Sequence, residues 1–466
     1  MTASLLAFAL AAAAPAMPAV TPATPTSQAA WYDNLPIEIA QAAEAVIQEN
    51  TVSLPDFGAV PDGATLCTEA FEKAIKALSG QGGGHLTVPR GVWVSGPIKL
   101  RSGIDLHLEE GAVLVFSPDK TLYRKQGSAR GVSPISADRC TDVSITGDGI
   151  IDGSGRYWRY AKRQKMSDVE WKDLRALGGE VTPDGERWLP YNINGFENAT
   201  ASADEEEAFR PHMISFKRCT RVRVSGVTVQ NSPRIHIVPS QCEDVIIENV
   251  TVRCPWNVQN GDGIDIGNSR RVAVVGCTLD VGDDGICMKG GSGAKGVEAG
   301  PCEDILIRHC TVFRAHGGFV IGGDVSGGMH RLVVQECSFC GTDKGLRFKS
   351  SVGKGGPTSD IHISDISMVG IRESAIDFEC SYVDAGYRTT GIGPGTAYAP
   401  DFGGITVSRV VCRECPVGIS ASGVEGIKAV HDVVISDSDF TCTREDTRIG
   451  SDCDISLVGV RFHQFR

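Results

Sequence analysis

The chain has 466 residues, which is long enough for two or three ordinary domains or for one elongated repeat fold. With 41% hydrophobic and 22% charged residues, its composition favours a packed core over disorder. The net charge of −12 argues against nucleic acid as a general partner. The 55 glycines favour many short strands joined by tight turns over a helical bundle.

The amino-terminal residues 1–30 are predicted to form a leader. Residues 1–20 carry no charge, and their apolar run ends near Ala14-Pro15-Ala16, which is similar to the cleavage region of a secretory signal. The basic residue that usually precedes such a run is missing, so a disordered tail on a cytoplasmic protein is the alternative. We expect a secreted or periplasmic protein. No later run approaches the ~20 apolar residues of a membrane span.

The 16 cysteines do not indicate a metal site. Cys337–Cys340 and Cys412–Cys415 have the spacing of zinc ligands, but they lie far apart in sequence that predicts strands and turns. Most cysteines recur at matched places of a repeat, which is typical of small buried side chains. A few local disulfides, such as Cys442–Cys453, are compatible with an exported protein.

One pattern of two short β-rich segments around a polar corner recurs from residue 139 onward. It occupies residues 139–151, 218–229, 241–252, 269–279, 301–312, 329–339 and 359–368, with later echoes at 404–412 and 429–440. Val and Ile alternate along each segment with a period of two, which excludes helical repeats. The spacing of about 22 to 33 residues is shorter than the ~40 residues of a propeller blade. These repeats predict an all-β fold, a single-stranded right-handed parallel β-helix over residues 31–466.

Two segments depart from the repeat. Thr68–Ser79 has an apolar stripe at helical spacing, so we expect a helix that caps the open amino-terminal end of the solenoid. Residues 156–210 break the rhythm with tryptophans, tyrosines and an acidic run. We interpret them as a long insertion on the side of the solenoid, whose aromatic rings either stack on sugar rings or pack on one another.

Charged side chains recur at equivalent places of consecutive predicted rungs, which lie ~4.8 Å apart. In chain order they are Asp262, Asp283, Asp284, His316, Arg347 and Lys349. A lone aspartate in a turn usually stabilises the turn itself. That role does not explain two adjacent carboxylates with a third carboxylate one rung away. Crowding raises the pKa of at least one carboxyl, which then supplies the acid of an acid–base pair for glycoside hydrolysis.

Clustered aspartates also bind calcium, which would serve a lyase with an Arg or Lys base. His316 and the two basic residues make a poor oxygen cage, so we expect neither a metal nor another cofactor. Arg347 and Lys349 are compatible with surface ion pairs, but beside the carboxylates they suit the binding of a substrate carboxylate better.

Four segments of this region resemble the signature of glycoside hydrolase family 28, the polygalacturonases. They are Asn260-Gly-Asp262, Gly282-Asp-Asp-Gly285, His316-Gly317 and Arg347-Phe-Lys349, in the order of the family's Asn-Thr-Asp, Gly-Asp-Asp, Gly-His-Gly and Arg-Ile-Lys. Residues 56–63 and 103–112 are similar to the family's amino-terminal region. Gly261, Ala315 and Phe348 depart from the pattern without removing a charged group.

The resemblance implies a metal-free inverting hydrolase that cleaves α-linked galacturonic acid in pectin. We also expect the protein to act as a monomer. Asp283 would protonate the leaving oxygen, while Asp262 and Asp284 would activate water across a gap of ~6.5–9.5 Å. His316 would hold the acid in its working protonation state.

The resemblance also implies how the substrate is bound. Arg347 and Lys349 would hold a uronic carboxylate, and Asn260, Asp265 and Lys289 would support substrate binding. Lys289 equally fits a solvated position on its strand.

Residues 156–210, together with Trp256-Asn-Val-Gln259, resemble the exo-acting bacterial members of the family. A loop that closes one end of a groove favours attack at chain ends over internal cleavage. Within the family, a rhamnogalacturonan hydrolase or a rhamnosidase-like enzyme is the alternative. Outside it, the alternatives are a β-eliminating lyase and a β-helix that only binds glycans.

Overall fold

Stacked strands form one right-handed parallel β-helix, as predicted. The computed structural model describes residues 27–193, 198–382 and 397–465. Each rung gives one strand to each of three parallel sheets, and strands pair in register with the next rung. In the first sheet Val222 pairs with Val245, which pairs with Val272, which pairs with Ile305. Equivalent side chains of successive rungs therefore lie directly above one another.

The three sheets run the length of the described chain. Sheet 1 comprises Thr51–Ser53, Gly84–Val88, Ile104–Leu108, Thr141–Gly147, Thr220–Ser225, Glu243–Glu248, Arg270–Val275, Cys302–Arg308, Met329–Gln335, Val430–Ser436 and Cys453–Val458. Sheet 2 comprises Asp62–Leu66, Gly91–Ser95, Ala112–Phe116, Ile150–Asp152, Thr228–Gln230, Thr251–Arg253, Thr278–Asp280, Thr311–Phe313, Ser338–Cys340 and Arg461–Gln464. Sheet 3 comprises Ile98–Lys99, Ile135–Asp138, Ile214–Lys217, Ile237–Ser240, Ile264–Gly267, Ile286–Lys289, Gly317–Gly323, Lys344–Ser350 and Ser374–Glu379. Three longer strands turn a corner and join two or three sheets: Thr358–Val369, Ile405–Ser422 and Asp439–Ile449.

The interior is a continuous column of apolar side chains in which cysteines act as small fillers. Cys277, Cys310 and Cys337 follow one another on successive rungs, each about 1% exposed. All 16 cysteines are free thiols, so the predicted disulfide Cys442–Cys453 is wrong. Cys442 Sγ lies instead 3.9 Å from the Sγ of Cys415, its neighbour on the adjacent rung.

Two amino-terminal segments cover the solenoid. The predicted capping helix is present as Thr68–Gly80 and buries Phe71, Ala74, Ile75 and Leu78. Ahead of it, helix Gln28–Trp31 begins a strap in which Trp31, Ile39 and Ala42 pack on an outward-facing apolar patch of sheet 1. The predicted leader falls largely outside the described residues and stays a prediction. The helices of the described segments include none long and apolar enough to cross a membrane.

The insertion leaves the solenoid between Ile150–Asp152 and Ile214–Lys217, at the corner from sheet 2 to sheet 3. It contains helices Asp168–Ala176 and Ala203–Phe209, and a small antiparallel sheet of Ala161–Lys162, Glu180–Val181 and Arg187–Leu189. Trp158, Trp171 and Trp188 are buried within it. Its tryptophans are therefore the core of the insertion, and no sugar-stacking role is needed to explain them.

A fifth helix, Gly293–Ala299, lies at the corner that leads from sheet 3 back to sheet 1. Trp256, which precedes the first predicted acid, is by contrast 42% exposed.

Candidate active site

The corner from sheet 2 to sheet 3 brings the predicted acids together on consecutive rungs. Strand Ile264–Gly267 pairs in register with Ile286–Lys289, with Ile264 opposite Ile286. Asp262 and Asp284 each stand two residues before these paired isoleucines. They therefore occupy the same column, one rung apart, at the ~4.8 Å spacing of paired strands.

The three carboxylates lie closer together than expected. Asp262, Asp283 and Asp284 each offer one oxygen within 4.8 Å of the others. This is shorter than the ~6.5–9.5 Å usual for an inverting pair, so the predicted gap is wrong. Such crowding forces the three groups to share protons rather than to ionise independently.

Asp283 is held rigidly as an anion by three hydrogen bonds. The backbone N–H of Asn260 donates to its Oδ2 at 2.9 Å, and that of Asp284 donates to its Oδ1 at 3.0 Å. His316 Nδ1 lies 3.1 Å from the same Oδ1. Burial alone would raise the pKa of Asp283, but His316, with help from Lys349, holds it well below its usual range.

Asp284 is buried under two cations. Lys349 Nζ donates to its Oδ2 at 2.7 Å, and Arg347 Nη1 lies 3.6 Å from its Oδ1. Burial would raise the pKa of Asp284, but the charges of Lys349 and Arg347 lower it. Asp284 Oδ1 is nevertheless buried with no hydrogen-bond partner among the described residues.

Asp262 differs from the other two because it forms no ion pair with a cation among the described residues, although the charge of Lys289 acts on it. Burial, with the charges of Asp265 and Asp283, raises its pKa well above its usual range. Its Oδ1 is also buried without a hydrogen-bond partner in the described part of the chain. The raised pKa of Asp262 and the lowered pKa of Asp283 therefore favour Asp262 as the protonated carboxyl of the trio, although the acid role was assigned to Asp283.

The remaining predicted binding residues surround the trio. Burial raises the pKa of Asp265 to about 6, and Lys289 Nζ lies 3.8 Å from its Oδ2. Asn260 uses its backbone on Asp283, while its side-chain oxygen accepts from Arg210 Nη2 at 3.0 Å. Asn260 thus supports the acid.

His316 connects the trio to the insertion. Its Nε2 lies 3.1 Å from Nζ of Lys165, which ends the short 3₁₀ turn Arg163–Lys165. Burial lowers the pKa of His316, and the charge of Lys165 lowers it further. The neighbouring charge of Asp283 outweighs both effects, so the pKa of His316 lies above its usual value. Burial in turn lowers the pKa of Lys165.

Three site residues were not predicted from the sequence. Lys165 lies in the insertion, which has no repeat register from which its position could be read. Tyr382 places its ring 5.3 Å from the Arg347 guanidinium and 4.8 Å from Lys349 Nζ. His236, one rung before the acids, contacts the backbone oxygen of Asp262 through Nδ1 at 2.8 Å. The repeat was the available signal for His236, because Ile237 pairs with Ile264 and His236 therefore stands one rung before the segment that carries Asp262.

The three aspartates are also the one group of candidate metal ligands among the described residues. Ca²⁺ requires six to eight oxygen ligands. Here Lys349 and His316 already contact two of the carboxylates, so the arrangement fits an ammonium- and imidazole-compensated site better than a calcium cage. The two CxxC pairs belong to no such group in the described chain.

Residues 81–397 match the family model described as Glycosyl hydrolases family 28. The chain belongs to this family. Among its family 28 relatives, a Vitis vinifera protein described as a probable polygalacturonase is 29% identical over 337 residues, 68% of this chain and 61% of the relative. An exo-poly-alpha-D-galacturonosidase of Dickeya chrysanthemi is 26% identical over 352 residues, 72% of this chain and 57% of the relative. This family 28 chain therefore spans less than two thirds of these relatives.

Solved structures of similar proteins agree with the fold. The exopolygalacturonase of Thermotoga maritima superposes with a TM-score of 0.72 at 28% identity, covering 90% of this chain and 94% of that one. The polygalacturonase of Erwinia carotovora, at 19% identity and a TM-score of 0.63, covers 92% of this chain and 99% of that one and supports the fold alone.

The contact between Lys165 and His316 predicts a change in the titration of the histidine. Replacing Lys165 by Met removes a positive charge beside the ring, so the imidazolium is stabilised and the pKa of His316 rises. NMR titration of labelled histidine side chains measures this. The matched control is Lys172→Met on the exposed side of helix Asp168–Ala176. An unchanged His316 titration in Lys165→Met would contradict the contact.

Proposed function

We propose that this protein hydrolyses α-linked galacturonic acid in pectin from chain ends. The observation that carries the proposal is the buried aspartate trio with two cations, Arg347 and Lys349, on one side of it. An acid–base pair suits a glycosidic bond, and fixed cations suit a substrate that carries carboxylates. The family membership and the relatives named for polygalacturonase activity support the same reaction.

Asp283 with His316 is our choice for the general acid. Asp283 is the least buried of the three aspartates, with 15% of its side chain exposed against 1% for Asp284. The upward shift in the pKa of His316 keeps a proton on the pair. When negative charge develops on the leaving oxygen, the proton moves through Asp283 to that oxygen, and His316 can then be reprotonated from solvent.

Asp262 and Asp284 are our choice for the residues that position and activate water. Their Oδ1 atoms are the two buried carboxylate oxygens of the trio without a partner in the described chain. Buried acceptors are strongly stabilised by a donor, and one water molecule offers two. Asp284 is ionised and takes the proton from the water, while Asp262 orients it.

Arg347 and Lys349 are proposed to bind the uronic carboxylate. Arg347 Nε is a buried donor without a hydrogen-bond partner among the described residues. Tyr382 lies beside both cations and limits the space above them. Asp265 and Lys289 lie on the neighbouring rungs and are proposed to contact the sugar hydroxyls and carboxylate.

Chain-end attack is supported by the position of the insertion. It leaves the solenoid on rungs that precede Asp262 and reaches the acid pair through Lys165. A wall at this place would block a long chain from lying across the site in both directions. We also propose that the protein is exported from the cytoplasm and acts as a monomer.

The products of a long galacturonan test the chain-end attack. We expect single galacturonic acid units from the first minutes, with viscosity falling slowly relative to the release of reducing ends. Size-resolved chromatography of timed samples measures both. Early oligomers of intermediate length together with a rapid loss of viscosity would indicate internal cleavage and contradict the proposal.

Substrates with different leaving groups test the acid assignment. In an aryl substrate such as 4-nitrophenyl α-galacturonide, the leaving group is 4-nitrophenolate, which departs without being protonated. In digalacturonate the leaving group is a sugar hydroxyl oxygen, which must be protonated by an acid. We expect Asp283→Asn to lose at least about 10²-fold in kcat on digalacturonate but far less on the aryl substrate. Asp262→Asn and Asp284→Asn should lose activity on both substrates.

The control for these variants is Asp365→Asn. Asp365 pairs with Arg409 at the corner between sheets 1 and 2, whereas the aspartate trio lies at the corner between sheets 2 and 3, so this variant should retain activity on both substrates. If Asp262→Asn is the variant that the aryl substrate rescues, Asp262 is the acid and the assignment of Asp283 is wrong.

A further inference from the structure

The contact between His316 and Lys165 has room for one proton. Nζ of Lys165 lies 3.1 Å from Nε2 of the ring, within hydrogen-bond distance. An ammonium group can only donate, so beside a charged Lys165 the unprotonated Nε2 is the acceptor. The proton of the neutral ring is then on Nδ1, which lies 3.1 Å from Asp283 Oδ1 and donates to it. Lys165 therefore fixes the tautomer that faces the proposed acid.

Transfer of this Nδ1 proton to Asp283 requires a proton source at the other ring nitrogen. A neutral imidazole carries one N–H, so it can give up that proton only as Nε2 gains another. In the described part of the chain, Lys165 is the group in hydrogen-bond contact with Nε2. The nearest carboxylate, Asp343, has its Oδ2 3.9 Å from Nε2 and is paired with Arg372 at 3.3 Å. The source of the second proton is therefore Lys165.

Lys165 is suited to release a proton and to recover it. Its side chain is half-buried, and burial lowers its pKa from the usual value of a lysine. Nearby charges act in both directions, since Asp283 and Asp343 raise this pKa while Lys162 and Arg372 lower it. An amine whose pKa is lowered gives its proton to a neighbouring imidazole more easily than a solvated lysine does.

We propose that Lys165 stores the proton that completes the acid step, so that a residue of the insertion takes part in the acid–base chemistry. This inference rests on the proposed function and deepens it. As the bond from the anomeric carbon to the leaving oxygen breaks, that oxygen keeps the electron pair and takes a proton from Asp283. Asp283 takes the Nδ1 proton of His316, and Nε2 takes a proton from Lys165, which becomes a neutral amine.

The starting state returns after the product leaves. The proton of the attacking water has gone to Asp284 and passes from there to solvent. A solvent proton enters at Asp283, the most exposed of the three aspartates, and restores the Nδ1 proton, while Nε2 returns its proton to Lys165. Lys165 touches neither the substrate nor the reacting atoms, and it acts through His316 alone.

The pH dependence of kcat on digalacturonate separates proton storage from a purely electrostatic effect of Lys165. If the imidazolium alone is the donor, Lys165→Met raises the pKa of His316 and moves the basic limb of the profile to higher pH. If Lys165 stores the proton, activity ends only when the two bases lose their last shared proton, and this apparent pKa is at or above that of either base alone. Lys165→Met then moves the basic limb to lower pH.

We expect the basic limb to move to lower pH in Lys165→Met. On the basic side kcat should fall at least about tenfold, and on the acid side it should change little, as should KM. The other charges that act on His316 are those of Asp283 and Asp284, and no variant in this comparison alters them. The aryl substrate 4-nitrophenyl α-galacturonide needs no acid and should show no such shift.

Two further variants sharpen the comparison. Lys165→Arg keeps the charge, but a guanidinium does not release its proton, so its basic limb should also lie below that of the wild type. Lys172→Met, on the exposed side of helix Asp168–Ala176, should behave as the wild type. A basic limb that moves to higher pH in Lys165→Met, or a wild-type profile in Lys165→Arg, would overturn the proposal.

Nitrogen NMR of labelled histidine keeps the test independent of turnover. In the wild type with His316 neutral, we expect the chemical shifts of a protonated Nδ1 and an unprotonated Nε2. A protonated Nε2 in the neutral ring would also overturn the proposal. If the wild type cleaves neither substrate, the proposed function fails, and the tautomer still decides whether Lys165 donates to His316.

Discussion

In-register stacking of parallel strands is the constraint on which the site depends. Each rung repeats the position of the last at ~4.8 Å, so one corner of the solenoid presents a column of side chains at a fixed spacing. Asp262 and Asp284 meet in this way although separate turns carry them. The same register sets His316 beside Asp283, and brings Lys349 from a strand two rungs later to within 2.7 Å of Asp284.

This stacking also creates an electrostatic problem that the surrounding residues resolve. Three carboxylates within 4.8 Å of one another, two of them buried and one half-buried, cannot all be ionised without compensation. Lys349 and Arg347 stabilise the charge of Asp284, and His316 stabilises that of Asp283. Among the described residues, Asp262 forms no such ion pair, and burial raises its pKa well above its usual range. Different protonation states of chemically identical groups are what acid–base catalysis on a glycosidic bond requires.

The parts of the molecule that follow the repeat could be predicted from the sequence, and the parts outside it could not. Alternating Val and Ile set the rungs, and the spacing of the repeat was enough to place Asp262, the pair Asp283–Asp284 and His316 on consecutive rungs. Lys165 lies in a segment with no register, so its contact with His316 is tertiary and leaves no local signal.

The errors have physical reasons as well. The disulfide Cys442–Cys453 was predicted from proximity in sequence, whereas stacking brings Cys442 to Cys415 instead. The expected separation of ~6.5–9.5 Å between the carboxylates is typical of acid–base pairs that face each other across a cleft. In this protein the carboxylates lie on adjacent rungs and on adjacent residues, which fixes a short distance.

The anomeric configuration of the first product tests the central claim most directly. The Oδ1 atoms of Asp262 and Asp284 lack a hydrogen-bond partner among the described residues. If water held between these two carboxylates is the nucleophile, each cleavage of an α-linked galacturonide releases the β-anomer first. Proton NMR during the first minutes of digestion, before mutarotation, resolves the two anomers. Initial release of the α-anomer would mean that an aspartate forms a covalent intermediate, and the assignment of the trio as an acid, a base and a water-orienting carboxyl would be wrong.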